Sequence, residues 1–116
     1  MTASASFIEF LKEQMAGLGP VTAKRMFGGC GLYRGGLIFA LVIDDTLYFK
    51  ADEQSRAEFA AEGLEPFRYS TKSGTKTVTS YWRAPERCLD DGGEMTRWGQ
   101  SALDAAARAK PKLTKR

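Results

Sequence analysis

Apolar residues fall at Phe7, Leu11, Met15 and Leu18, a spacing that lines them along one stripe of a helix. Ser6 and Glu9 have the separation of a capping box, and Gly17 with Gly19-Pro20 predicts where that helix stops. The periodicity then changes. Cys30 to Tyr33 reads as a short strand, and Arg34-Gly35-Gly36 as a turn, because glycine accepts the positive φ of tight hairpins. Leu37 to Ile43 is apolar without alternation, so that strand wants cover on both faces or a central place in a sheet. Asp44-Asp45 breaks it, and Thr46 to Lys50 returns. The pattern predicts a three-stranded antiparallel meander.

A second helix is expected after Asp52, whose carboxylate can cap free amides, with Phe59 and Ala60 inward and Gly63 at its end. Leu64 to Tyr69 reads as an irregular or extended return, and Ser70 to Thr75 as a polar loop. Lys76 to Arg83 is rich in strand formers and predicts a fourth strand, which Pro85 ends. Glu86 to Leu89 suggests one helical turn. Asp91 and Glu94 repeat the capping-box spacing, and Met95, Trp98, Ala102 and Ala105 mark a last helix with one inward face, closed by Lys110-Pro111. The order α-β-β-β-α-β-α predicts an α+β fold: a mostly antiparallel sheet of about four strands with helices on one face. The expected organisation is one domain over residues 1–108 and a basic tail over residues 109–116.

Composition removes whole classes of chemistry. With no histidine among 116 residues, His-based general bases, His-bearing zinc sites and the Ser-His-Asp triad are excluded. Two cysteines suit reduced thiols in a cytoplasmic protein better than a disulfide framework. Met1 to Ser6 lacks the basic start of a secretory signal, and the apolar run from Leu37 is too short for a membrane span. The expectation is a cytoplasmic protein with no membrane contact. The net charge of +3 hides an asymmetry. Residues 1–107 hold 12 basic and 14 acidic side chains, whereas the last nine positions hold five basic and no acidic ones. Arg108, Lys110, Lys112, Lys115 and Arg116 are therefore candidate nucleic-acid contacts through phosphate attraction.

Arg25, Gly28, Gly29, Cys30 and Gly31 form the most unusual run and a candidate ligand or partner surface. Clustered glycine amides can make an anion nest. The other reading is a tight passage where the backbone packs against an aromatic side chain. The run lacks the Gly-Lys-Ser/Thr ending of a phosphate-binding loop. Cys30 beside Lys24 and Arg25 raises a thiol nucleophile, against the plainer reading of a buried strand cysteine, and the same pair of readings applies to Cys88. Asp44-Asp45 and Asp90-Asp91 fit turns and caps better than a carboxylate dyad, and no metal or cofactor is expected. Strand aromatics with Lys50, Arg68, Lys72, Lys76 and Arg83 suggest a stacking surface for single-stranded nucleic acid; strand aromatics also build cores.

The run Arg25-Met26-Phe27-Gly28-Gly29-Cys30-Gly31-Leu32-Tyr33, then Gly36, Phe39-Ala40 and Leu47 to Asp52, resembles the N-terminal domain of the TfoX/Sxy family. The likeness continues through Gly63, Pro66-Phe67, Tyr69, Ser80-Tyr81-Trp82, Pro85-Glu86 and the helix around Trp98 and Ala102, covering roughly residues 7–108. It implies an α+β domain without known catalytic activity. Longer members regulate natural DNA uptake as co-activators beside the cyclic-AMP receptor protein, and this chain stops where their C-terminal domain would begin. The expected function is a non-catalytic regulatory or adaptor domain working through protein contacts, with a homodimer as one form. Electrostatic nucleic-acid binding and a small thiol enzyme are the alternatives.

Overall fold

The computed structural model describes residues 3–26 and 28–109. Helix α1 spans Ala5–Gln14, followed by a 3₁₀ turn at Ala16–Leu18. Its cap is Ser4, not Ser6: Ser4 has extended backbone and its Oγ accepts from the Phe7 amide at 3.3 Å. Ser6 already lies inside the helix, so the Ser6–Glu9 box does not form. The inward stripe is Ile8, Leu11, Met15 and Leu18, with Phe7 only half-buried.

Strands follow at β1 (Thr22–Met26), β2 (Gly29–Arg34), β3 (Leu37–Ile43) and β4 (Thr46–Lys50). After α2 (Arg56–Ala61) come β5 (Pro66–Thr71) and β6 (Gly74–Arg83), a 3₁₀ turn at Glu86–Leu89, and α3 (Gly92–Ala109). The sheet has six strands in the order β1-β2-β3-β4-β6-β5, every neighbouring pair antiparallel. The α+β class and the β2-β3-β4 meander agree with expectation. The expected four strands become six, because both edge strands carry little apolar signal. In β1, Thr22 to Arg25 are all exposed. In β5, Arg68 to Thr71 are exposed, and the polar stretch from Ser70 to Thr75 is a hairpin tip with Thr71 paired to Gly74.

The two hairpins of the meander turn on residues in left-handed backbone. Gly35 and Gly36 have φ of 59° and 84°, and Asp44 and Asp45 reach 56° and 51° without glycine's freedom. Between them, β3 takes the central place its apolar run called for. A bulge between Leu32 and Tyr33 leaves Phe39 beside Ala40 without its own partner, and both are fully buried. Helix α3 packs across β3 and β4. Trp98 meets Phe59 edge-on with centroids 5.0 Å apart, above a core that includes Phe39, Phe49, Leu11 and Met95. At the start of α3, the Asp91 carboxylate accepts from the amides of Gly93 and Glu94, as a cap should. Glu94 does not reach back to complete a box; it takes Arg87 at 2.9 Å and the Trp98 indole N–H at 3.2 Å.

Trp98 is 2 % exposed, and its removal would leave a cavity that neither the sheet nor α2 can fill. Trp98→Ala is expected to cost about 3–5 kcal/mol, read as a lower urea midpoint.

Candidate functional site

The glycine-rich run forms the hairpin between the first two strands, and its residues face different ways. Register pairs Arg25 with Cys30 and Cys30 with Val42, so these two side chains stand on the helix-covered face. The Arg25 guanidinium donates to the Ala3 carbonyl there. Gly28, with φ of 76°, turns the chain. Gly29 and Gly31 stand on the opposite, helix-free face. A Cβ on Gly29 would lie 2.6 Å from the Val42 carbonyl oxygen and 2.5 Å from Ile43 Cδ1. One on Gly31 would crowd Ile38 and Met26, each at 2.9 Å, and the Tyr33 ring at 3.2 Å. The second strand is hydrogen-bonded on both sides, so its backbone serves two ladders. The missing side chains let neighbouring strands' side chains fold over it.

Both thiols are buried. Cys30 donates weakly to the Gly31 carbonyl, and burial pushes the Cys88 thiol up to about 11, away from a reactive thiolate. Of the tail candidates, Arg108 is described, and it is occupied: its Nε and an Nη donate to Asp52 at 2.6 and 3.0 Å. That fork, with the amides of Ser55 and Gln54, holds the Asp52 carboxyl at about 2. Lys110, Lys112, Lys115 and Arg116 lie outside the described residues.

Two surfaces stand out by chemistry. The first is a groove between the start of α1 and the segment 84–90. Its most enclosed part is a cleft of about 180 Å³ lined by Phe7, Leu47, Pro85 and Leu89. Shallower depressions continue along Leu64 past Glu62, Glu65 and Asp90. Gln14 anchors one wall by donating to the carbonyls of Cys88 and Leu89. Arg87 anchors the other, with Glu62 at 2.8 Å and Glu94 at 2.9 Å. Asp45, Glu62, Glu65, Glu86 and Asp90 line the groove against Arg83 and Arg87, and Glu86 and Asp90 have no ion pair among the described residues. No sequence pattern pointed to this groove, because its walls come from three distant segments.

The second surface is the helix-free face of the sheet. Ile38, Leu41 and Ile43 alternate with buried β3 residues and remain half-exposed. Tyr48 meets Phe67 edge-on at 5.0 Å, and Phe67 stacks on Tyr69 at 6.0 Å, so three rings form a row. Arg68, expected among the cations here, points the other way and pairs with Glu65 at 2.6 Å.

A profile of the TfoX N-terminal domain matches residues 13–106, from the end of α1 to near the end of α3. The chain belongs to the TfoX N-terminal domain family. It is 29 % identical over 99 residues to protein Sxy of Escherichia coli K12, covering 85 % of this chain and 47 % of that protein. It is 33 % identical over 75 residues to the DNA transformation protein TfoX1 of Aliivibrio fischeri, covering 65 % of this chain and 34 % of that protein. The chain thus spans about half or less of the length of these relatives. The matched stretch of the TfoX domain contains the glycine-rich hairpin, the 84–90 wall and all six strands. Among the described residues no helix is long and apolar enough to cross a membrane.

Two measurements test this account. Gly29→Ala should lower stability by about 1–3 kcal/mol, because a backbone carbonyl cannot retreat as a side-chain tip can; a denaturant titration reads it. Arg108→Gln should lower the melting temperature only slightly near neutral pH, since the pair is partly open to water. Asp52 is depressed in the folded chain, so its contribution is present above about pH 4 and is lost as pH falls through the folded value. Parent and variant melting temperatures should therefore differ at pH 7 and converge toward pH 2.

Proposed function

We propose that this chain is a cytoplasmic, non-enzymatic regulatory module of the DNA-transformation type, acting by docking a protein partner. Membership of the TfoX N-terminal family and the name of the A. fischeri relative support the process. The groove supports the mode of action. Its floor is apolar, its rim is mostly carboxylate, and its walls are held by Gln14 and Arg87 rather than left loose. The enclosed cleft of about 180 Å³ is below the roughly 300–1,000 Å³ of small-molecule sites, and the depressions of about 520 and 650 Å³ that continue it are open to solvent rather than enclosed. An extended groove continuing past Leu64 suits a segment of another protein, one with apolar side chains for the floor and lysines or arginines for the rim.

The observation that carries the reading is the pair of exposed carboxylates, Glu86 and Asp90, standing over apolar Pro85 and Leu89. Reversing their charge sets cation against cation without touching the core. In a naturally transformable host deprived of its own TfoX-family protein, expressing this chain should raise transcripts of DNA-uptake genes. The Glu86→Lys/Asp90→Lys variant should fold normally by circular dichroism and lose that effect, with partner affinity down at least about tenfold. Unchanged transcripts on expressing the parent would reject the process. A reversal variant as active as the parent would reject the groove.

A further inference from the structure

The 14 acidic residues of the chain all lie outside the six strands, in helices, turns and connections. Seven basic residues lie within the strands: Lys24, Arg25, Arg34, Lys50, Arg68, Lys76 and Arg83. Three of these are engaged on the helix-covered side, Arg25 with the Ala3 carbonyl, Arg34 with the Leu18 carbonyl and Arg68 with Glu65. Register places the other four on the helix-free face. Lys24 stands opposite Gly31, Lys50 opposite Tyr81, Lys76 opposite Tyr69 and Arg83 opposite Tyr48. None of the four is in an ion pair among the described residues, and Lys50 lies 5.1 Å over the Tyr81 ring. The face therefore combines a row of three aromatic rings, a half-exposed aliphatic patch and four cations, with no carboxylate from any strand.

We infer that this face binds single-stranded nucleic acid. The chemistry selects that occupant over a second copy of the chain. Two such faces brought together would oppose eight cations with no strand carboxylate between them, which costs affinity rather than supplying it. A single-stranded polynucleotide answers both halves of the surface. Its phosphates meet the cations, and its unpaired bases present flat faces to the rings. A duplex hides those faces in its own stack. Six strands spaced about 4.8 Å apart give a platform about 24 Å across. That is room for a run of at least about four nucleotides. Tyr69, at 47 % exposure, has the most accessible ring of the row. This inference places nucleic-acid contact on the sheet rather than on the basic tail, and of its four cations only Arg83 also lines the groove.

The test uses the full chain and a fluorescein-labelled oligothymidylate of about 15 nucleotides, alone and as a duplex with its complement. Binding is followed by anisotropy across a salt series, with solution mass measured in parallel. The single strand should bind more tightly than the duplex, with a slope of log K against log salt near about −3, as four phosphate contacts require. Tyr69→Ala/Lys76→Gln changes exposed positions only; it should weaken binding about five- to hundredfold and flatten the slope by about 0.7. Replacing Lys110, Lys112, Lys115 and Arg116 by Gln should cost less than the sheet variant. Absence of binding at low salt would overturn the inference, as would a duplex bound as tightly as the single strand. A larger loss from the tail variant than from the sheet variant would return the contact to the tail. A sheet variant that changes solution mass but not oligonucleotide binding would assign the face to a second copy.

Discussion

One helix lying across the middle of the sheet is the constraint on which the rest of this structure depends. With Trp98 set edge-on against Phe59 over Phe39 and Phe49, α3 covers the third and fourth strands. That contact needs small residues where α3 meets the end of the first helical segment. A Cβ on Gly99 would lie 2.6 Å from Leu18, and one on Gly17 2.5 Å from Thr96. Most apolar burial is then on one side, with Tyr81 the buried ring on the other. The other side of the same strands is left to face water with whatever side chains alternation puts there.

The charges are arranged around that layer. Arg87 takes Glu62 from the end of α2 and Glu94 from the start of α3, and its guanidinium lies 5.9 Å from the Trp98 ring. Each pair is solvent-exposed and individually weak, but the three contacts share one side chain, so its ordering cost is met once. The result ties α2, the 3₁₀ turn and α3 together on the helical side and sets the shape of the groove wall. Asp52 and Arg108 do the same at the far end of α3, joining its last turn to the loop before α2. An arginine that looks like part of a basic tail by position in the chain is therefore a tether by structure.

How much of this was legible in the sequence varies with burial. The central meander was readable because Gly35-Gly36 and Asp44-Asp45 punctuate it and the strands between are apolar. The outer strands were not, because Thr22 to Arg25 and Arg68 to Thr71 have no buried side for a period of two to mark; only pairing with neighbours makes them strands. The first helix was found and its cap misplaced by two residues, since Ser4 and Ser6 are the same residue type and backbone conformation decides between them. From sequence alone the glycine run fits either a nest or a close passage. The distances at Gly29 and Gly31 give the physical content of the close passage, with aliphatic side chains and one tyrosine as the neighbours. The groove joins residues from Phe7 to Asp90 and had no local signature.

The sorting of charge by element is the feature most open to sequence reading once the strands are placed. Fourteen carboxylates and no strand among their positions is a property of the string as much as of the fold. It also has a consequence for how two surfaces coexist on so small a body. The groove's carboxylates stand beyond the strand ends, in the turn between β3 and β4 and in the segments before β5 and after β6, with Arg83 of β6 at the boundary between the two surfaces. The Debye length at physiological ionic strength is about 8 Å. Exposed charges on the two surfaces that stand farther apart than this are largely screened from one another by the surrounding solvent. A chain with a net charge of +3 can in this way present one face suited to a basic partner and another suited to a polyanion, the two meeting at Arg83.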